Sequence, residues 1–346
     1  MTTGGATMNA SNLTIHTTGR SSAAIRSDRG GGTVTVNGGN YTTEGLGSPA
    51  IYSTADITVN DAALTSTTSQ GVVVEGKNSV TLNNVVLNAD NNQHNSDKSD
   101  VFEAVMIYQS MSGDAAEGRA KFAATGGQIS NANGDVFFVN NTAADITLSG
   151  VNITHNGGGA FLRASAAGWG NEGSNGGKVS LTATSQKING DMIVDDISVL
   201  NLYLYDGSTF NGAINPDGAA ENVYVELTGG SKWTLTGDSN ISSLTCDVDS
   251  VDLNGYTLTV NGKTYSVGST SNGEAIEIKT EGNSGKEGMQ APPDGEKPQM
   301  GENGMEPPKD GKRPEKPDGE PMQKPDGEPP EKPDGEDGPQ GMPFFN

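Results

Sequence analysis

An internal repeat near the amino terminus constrains the fold of this chain more than any other feature. Three segments share one pattern and begin 23 residues apart: 33–43 (TVTVNGGNYTT), 56–66 (DITVNDAALTS) and 79–89 (SVTLNNVVLNA). Val34, Ile57 and Val80 occupy the same position in the three copies. Repeats of about 20–50 residues are typical of solenoids and propellers, in which each unit packs mainly against its neighbours.

Each copy of the repeat carries the signature of β-strands rather than of helices. Aliphatic and polar residues alternate, as in Val34-Thr35-Val36, and a period of two places the aliphatic side chains on one face of a strand. An asparagine follows the first strand of every copy: Asn37, Asn60 and Asn83. We predict that these amides form a hydrogen-bonded ladder at a bend, where asparagine also tolerates the left-handed backbone.

The same step returns downstream, where Leu181, Leu204 and Leu227 are again 23 residues apart. We therefore predict an all-β fold, a single-stranded right-handed parallel β-helix of about 23 residues per coil. The handedness is the default for crossovers between parallel strands. A β-propeller is the alternative, but a blade needs four strands in about 40 residues, which the observed step does not provide.

The predicted β-helix spans 1–280 and contains two loop insertions, near 90–104 and 164–177. Residues 257–267 (TLTVNGKTYSV) read as two strands about an Asn-Gly turn, which is a strong hairpin signal. We expect this hairpin to cap the last coil. No matching signal covers the first coil, and an open strand edge favours end-to-end self-association.

The remaining residues, 281–346, differ sharply in composition. All but two of the 16 prolines follow Ala291, and the motif EKPDGE occurs twice. Few aliphatic residues are present to offset the entropy lost on ordering. We predict a disordered acidic Pro/Gly-rich tail that acts as a spacer, with recognition by a proline-binding partner as the alternative.

Composition narrows the functional classes. Only 32% of residues are hydrophobic and 5% aromatic, while 49 are glycine, as in turn-rich all-β repeat proteins. The net charge of −22 argues against nucleic acid as a partner. No apolar run approaches the length of a membrane span, so we expect no membrane insertion. The single cysteine, Cys246, cannot form an internal disulfide.

Four stretches carry a resemblance to a known group of proteins: 48–85 (SPAIYSTADITVNDAALTSTTSQGVVVEGKNSVTLNNV), 105–122 (VMIYQSMSGDAAEGRAKF), 169–181 (WGNEGSNGGKVSL) and 189–202 (NGDMIVDDISVLNL). The chain resembles adhesin-like surface proteins of anaerobic bacteria, which are right-handed parallel β-helices of the pectate-lyase-like superfold. The resemblance covers most of 10–265 and implies an extracellular or cell-surface location. Because the chain lacks the signal peptide and upstream rungs of that group, we expect an N-terminally truncated fragment.

Three tyrosines form the first candidate site. Leu202 and Leu204 belong to the inward-facing set, so Tyr203 and Tyr205 should point outward. The same argument on the next coil predicts that Tyr224 points outward, and the register places Tyr203 beside Glu226. Such a group would offer a stacking platform for a sugar ring or a protein partner. Tyrosine is also an ordinary residue on exposed strands.

The first insertion contains a candidate metal site. Asp90, Asp97 and Asp100 lie within the stretch DNNQHNSDKSD, and carboxylate and amide oxygens on a loop suit Ca²⁺. A structural calcium ion is therefore one interpretation, and a solvated surface loop is the other. We expect no further cofactor.

Three functional hypotheses follow. The first is a non-catalytic, cell-surface or secreted, adhesin-like solenoid whose partner is a polysaccharide or a surface protein of another cell or matrix. The second is a carbohydrate-binding β-helix. The third, a polysaccharide lyase or hydrolase, has less support. Asp195 and Asp196 are adjacent and would point to opposite faces of a strand, and the three histidines lie far from them in sequence.

Overall fold

The computed structural model describes residues 1–156 and 158–279. Within these residues every regular element is a β-strand and there is no helix. It follows that they include no helix that could cross a bilayer. The predicted tail at 281–346 lies outside the described residues.

The chain winds through three faces, here called face 1, face 2 and face 3, whose strands are stacked in parallel. Face 1 comprises Thr2–Thr3, Ile25–Asp28, Ile51–Ser53, Val72–Glu75, Glu103–Tyr108, Asp135–Asn140, Leu162–Ala164 and Met192–Val194. Face 2 comprises the first halves of Thr7–Thr17 and Thr33–Thr43, then Asp56–Asn60, Ser79–Asn83, Arg119–Thr125, Thr142–Ser149, Gly177–Thr184, Val199–Tyr205, Asn222–Leu227 and Ser243–Cys246, with Ser271–Asn272 added antiparallel.

Face 3 continues from the second halves of the two long strands. It comprises Ala63–Ser66, Val86–Ala89, Gln128–Asn131 and Asn152–His155, followed by a second group, Lys187–Asn189, Thr209–Asn211, Lys232–Thr234 and Val251–Asp252. Three further strands lie near the carboxyl end: Ser239–Ile241, Leu258–Val260 and Lys263–Thr264. The predicted all-β parallel solenoid is therefore confirmed.

Strand register reproduces the sequence repeat. Ile57 pairs with Val34 on one side and with Val80 on the other, and Val59 lies between Val36 and Leu82 in the same way. Stacking of equivalent residues fills the interior with one continuous apolar core. Its largest fully buried side chains include Trp233, Tyr41, Phe122, Phe137, Phe161 and Phe210.

The predicted asparagine ladder forms at the bend between faces 2 and 3. Asn60 Nδ2 donates to Asn37 Oδ1 at 2.8 Å, and Asn83 Nδ2 donates to Asn60 Oδ1 at 2.7 Å. The next position is left-handed, with φ of 52° at Asp61 and 54° at Asn84. Aspartate and asparagine tolerate this conformation better than other side chains do, which explains their recurrence at the bend.

A hairpin lies where the Asn-Gly signal predicts it. Leu258–Val260 and Lys263–Thr264 are antiparallel, and φ is positive at both Asn261 and Gly262, as a two-residue type I′ turn requires. Leu258–Val260 also pairs in parallel with Ser239–Ile241, so the hairpin extends the stack of coils at this end.

Both predicted insertions fold onto the outer side of face 1. Residues 90–102 and 165–176 of these insertions contain no strand. The two insertions contact each other: Lys98 Nζ donates to Gly168 O at 2.9 Å, and Gly168 N donates to Lys98 O at 2.7 Å. The strands beneath them are apolar on both sides, because Met106 and Phe138 point outward and are nevertheless buried. The insertions therefore serve as a cover for one region of the solenoid.

Substituting Val59 with aspartate should destabilise the solenoid by roughly 3–5 kcal/mol, or unfold nearby coils, because an unpaired charge would enter the core. Thr58→Asp is the matched control, since Thr58 is half-buried on the outer side of the same strand. Chemical denaturation of both variants measures the difference. Equal stability of the two variants would show that the inward register is wrong.

Candidate functional site

The outer side of face 1 carries a second, smaller apolar cluster. Val73, Met106 and Phe138 lie in adjacent coils and are aligned by the strand register. Five partly buried residues pack on them: Tyr52, Val101, Tyr108, Ala167 and Trp169. Val101 comes from the first insertion and Trp169 from the second, so both insertions help to build the cluster.

All of these residues except Phe138 and Ala167 line a cavity of about 110 Å³, here called the aromatic pocket. Trp169 meets Tyr108 edge-on, with ring centroids 5.3 Å apart, and His94 stacks on Phe102 at 4.1 Å. Half-buried rings of Tyr52, Tyr108 and Trp169 line the pocket together with the polar side chains of Gln70 and Glu103. The site thus combines aromatic surface with hydrogen-bonding groups.

Among the described residues, Glu103 is the one carboxyl group that lines the pocket. Burial raises its pKa from 4.5 to about 8, and the charge of Asp135 in the next coil adds to the increase. Gln70 Nε2 donates to Glu103 Oε1 at 2.7 Å, which partly opposes the shift. At neutral pH Glu103 is therefore mainly a neutral acid that can also donate a hydrogen bond.

Asp135 is engaged by other groups. Its Oδ2 lies 2.6 Å from Nε of Arg163, and its Oδ1 accepts a hydrogen bond from the backbone N–H of Ala160 at 2.6 Å. Both contacts involve residues of the next coil, so this carboxylate holds two coils together. Its oxygens are occupied and are not presented to a ligand.

A second buried carboxylate positions the tyrosine rings. Glu75 is fully buried and accepts hydrogen bonds from the hydroxyl groups of Tyr52 and Ser110, with the Tyr108 hydroxyl 3.5 Å away. Burial raises the pKa of both tyrosines, so the phenols remain protonated and can donate. This network fixes the positions of two rings that line the pocket.

A larger polar depression, here called the trough, adjoins the pocket and has a volume of about 490 Å³. Tyr108 and Trp169 line the pocket, and the residues that follow them, Gln109 and Gly170, line the trough. Two lysines, Lys178 and Lys279, also line it. Gln109 Oε1 is buried within the trough wall and has no hydrogen-bond partner among the described residues.

The turn at the tip of the second insertion depends on glycine. Gly170 has φ of 80°, and a Cβ at this position would collide with the side chain of Asn141. Asn141 Nδ2 in turn donates to Gln109 O at 2.8 Å. Gln109, Asn141 and Gly170 all line the trough, so this contact belongs to its wall.

The three predicted tyrosines lie together on face 2. The ring centroid of Tyr203 lies 6.2 Å from that of Tyr205 and 5.7 Å from that of Tyr224. Tyr203 pairs with Glu226 in the next coil, as the repeat predicts. Tyr203 and Tyr205 are half-buried. Tyr224 points outward as predicted, but only 3% of it is accessible, so it does not contribute an open stacking surface.

Tyr224 points away from the core but is covered by the segment 273–279, here called the strap. Ser243 Oγ donates to Glu274 O at 2.8 Å, and Asn201 Nδ2 donates to Ile276 O at 2.8 Å. Register places Tyr224 between Ser243 and Asn201 in adjacent coils, so the strap passes over it. Burial raises the pKa of Tyr224 to about 12.

The structure does not assemble the predicted calcium site. Among residues 1–156 and 158–279, no group of three or more His, Cys, Asp or Glu side chains is arranged to hold a metal ion. Asp90 is half-buried, and Asp97 and Asp100 are exposed along the insertion. The geometry therefore offers no support for calcium binding by these three aspartates.

The other acidic pair has a structural role. Asp195 Oδ2 accepts a hydrogen bond from the backbone N–H of Ala166 at 2.7 Å, at the start of the second insertion, and Asp196 is exposed. His155 Nε2 lies 2.9 Å from Asn189 O, and His16 lies 2.9 Å from a carboxylate oxygen of Glu44. These contacts do not bring either histidine into hydrogen-bonding contact with Asp195 or Asp196.

Sequence reasoning missed the pocket residues Gln70 and Glu103. One signal was present: the strands at 103–108 and 135–140 contain apolar runs, AVMI and VFFV, instead of alternation. Such runs indicate burial on both sides of a sheet. Because two insertions interrupt the repeat nearby, that signal marks the place where a cover is needed.

No protein-family model, curated protein or solved structure matches the chain.

Glu103→Gln should remove a pH-dependent loss of stability. Because the folded pKa of about 8 lies above the ordinary value of 4.5, the folded state binds more protons in this range. The contribution of Glu103 to stability is therefore complete below about pH 4.5 and is lost as the pH rises through about 8, by a few kcal/mol.

Urea denaturation of wild type and variant at pH 5 and pH 9 measures this contribution. Glu221→Gln is the matched control, because Glu221 is exposed, and it should retain the wild-type pH dependence. If Glu103→Gln also retains it, the side chain does not titrate as its burial implies.

Proposed function

We propose that this chain is a non-catalytic, adhesin-like solenoid, secreted or displayed on the cell surface, that binds polysaccharide through the aromatic pocket and the trough. The observation that carries the proposal is the cover on face 1. Two insertions meet there and place Trp169 and Tyr108 beside a polar depression of about 490 Å³.

The chemistry of the site suits sugar rings. Saccharides present apolar C–H faces that stack on aromatic side chains, and hydroxyl groups that need donors and acceptors. The rings of Trp169 and Tyr108 supply the first kind of surface. Gln70 and the neutral acid of Glu103, which both line the pocket, supply the second. Both kinds of contact therefore lie within one part of the molecule.

The dimensions assign different roles to the two depressions. Ligand sites in proteins commonly measure about 300–1,000 Å³, so the trough is large enough for a short oligosaccharide, whereas the pocket holds only part of a sugar ring. A polymer would lie in the trough and insert one substituent or ring edge into the pocket. The solenoid supplies a rigid support because each coil is bonded to its neighbours.

Geometry favours binding over catalysis at this site. General acid and base catalysis on a glycosidic bond requires two carboxyl groups that both reach the substrate. Glu103 borders a cavity of about 110 Å³, and Asp135 is occupied by Arg163 and the Ala160 amide. A lyase or hydrolase therefore remains the less supported alternative, which an assay for reducing ends and unsaturated products tests directly.

Trp169→Ala should weaken the binding of a glycan identified on an array by at least tenfold, because the stacking surface is lost. Tyr256→Ala is the matched control, since Tyr256 is an exposed aromatic residue outside the pocket and the trough. Titration of each variant with the hit glycan measures the change, and circular dichroism verifies that the fold is retained.

Two outcomes would contradict separate parts of the proposal. If the wild-type chain binds no glycan on a broad array, polysaccharide is the wrong ligand class and a surface protein becomes the better candidate. If it binds a glycan and Trp169→Ala binds equally well, the ligand class is right and the site is wrong. In the second case the half-buried rings of Tyr203 and Tyr205 become the next candidates.

A further inference from the structure

Gly273 N donates to Leu244 O at 2.8 Å, and beyond this residue the strap runs across the outer side of face 2 without joining a coil. Its backbone is held by side chains from separate coils: Ser243 binds Glu274 O, and Asn201 binds both the carbonyl and the N–H of Ile276, at 2.8 and 3.0 Å. Arg119 Nη2 donates to Ile278 O at 3.0 Å. Alternate strap residues are therefore recognised through their backbone atoms.

These contacts resemble the binding of an extended peptide more than the closing of a coil. Residues 273–279 form no strand, and the solenoid's ladder of parallel strands is complete without them. Ile276 and Ile278 are half-buried, but neither belongs to the apolar core. Loss of the strap would therefore leave both the ladder and the core intact.

The strap also connects two surfaces with ligand-binding chemistry. It covers Tyr224, the innermost of the three tyrosines on face 2, and its last described residue, Lys279, lines the trough. Tyr224 keeps polar partners beneath the strap, since its hydroxyl donates to Glu226 Oε2 at 2.8 Å. Tyr224 therefore lies on the outer side of the solenoid, and its hydroxyl group has a hydrogen-bond partner that does not belong to the strap.

We propose that the strap is a detachable latch, which dissociates from face 2 without unfolding the coils and thereby exposes Tyr224 beside Tyr203 and Tyr205 as one aromatic surface. With the latch closed, two half-buried rings are accessible; with the latch open, three rings lie together within stacking distance of a planar or cyclic ligand. This inference rests on the contacts of the strap and not on polysaccharide binding at face 1.

The test uses the full chain and two variants that act from opposite sides of the contact. Asn201→Ala removes both hydrogen bonds to Ile276, and Ile276→Pro removes the strap's own N–H while leaving face 2 unchanged. Asn211→Ala is the control, because Asn211 is an exposed strand residue whose side chain, within 1–156 and 158–279, bonds only to Asn189. Because Ile276→Pro changes the strap alone, it keeps the test valid if Asn201→Ala disturbs folding.

Hydrogen exchange and nitration of Tyr224 by tetranitromethane provide the readouts. In both variants, amides of 273–279 should exchange at least tenfold faster and Tyr224 should be nitrated faster. Peptides covering Val199–Tyr205 and Asn222–Leu227 should keep their protection. The control should match wild type in every measurement.

Three results would overturn the latch. Loss of protection in the coils together with the strap in Ile276→Pro would show that the strap is an integral part of the solenoid. Unchanged exchange in 273–279 in both variants would show that these bonds do not hold it. Faster exchange without faster nitration would show that the strap does not cover Tyr224.

Discussion

The structure depends on the pairing of each coil with the next through parallel backbone hydrogen bonds. That ladder places residues 23 positions apart in contact, as Ile57 with Val34 and Val80. Like side chains therefore stack on like, and an aliphatic position repeated along the sequence becomes a continuous apolar column. A single coil has no core of its own, so each coil is stabilised mainly by its neighbours. The outward-facing side chains contribute less to this stabilisation, so they can differ between coils.

Faces 1 and 2 differ in the side chains on their outer sides. Face 1 is apolar on both sides near Met106 and Phe138, and two insertions cover it; face 2 carries polar outward side chains, and the strap crosses it by binding them. In both cases an irregular segment returns to the solenoid and creates the chemistry of the surface. The aromatic pocket, the trough and the covered tyrosine all arise where the repeat is interrupted or ends.

Burial of acidic groups under the cover is compatible with stability because each one is compensated differently. Glu75 accepts hydrogen bonds from tyrosine and serine hydroxyls, and Asp135 is paired with Arg163. Glu103 has the Gln70 amide and a raised pKa, so its charge is largely avoided at neutral pH. A neutral acid, a paired carboxylate and protonated phenols together give the site hydrogen-bonding capacity with little net charge.

The sequence by itself determined the parallel all-β solenoid, the asparagine ladder, the hairpin about Asn261 and Gly262, and the pairing of Tyr203 with Glu226. These features are predictable because a fixed period and a two-residue strand alternation specify which residues become neighbours. Only the tertiary structure decided the burial of Tyr224, the raised pKa of Glu103 and the edge-on contact of Trp169 with Tyr108. These depend on where non-repeating segments return to the solenoid, and a segment without a period carries no local signal of the surface on which it packs.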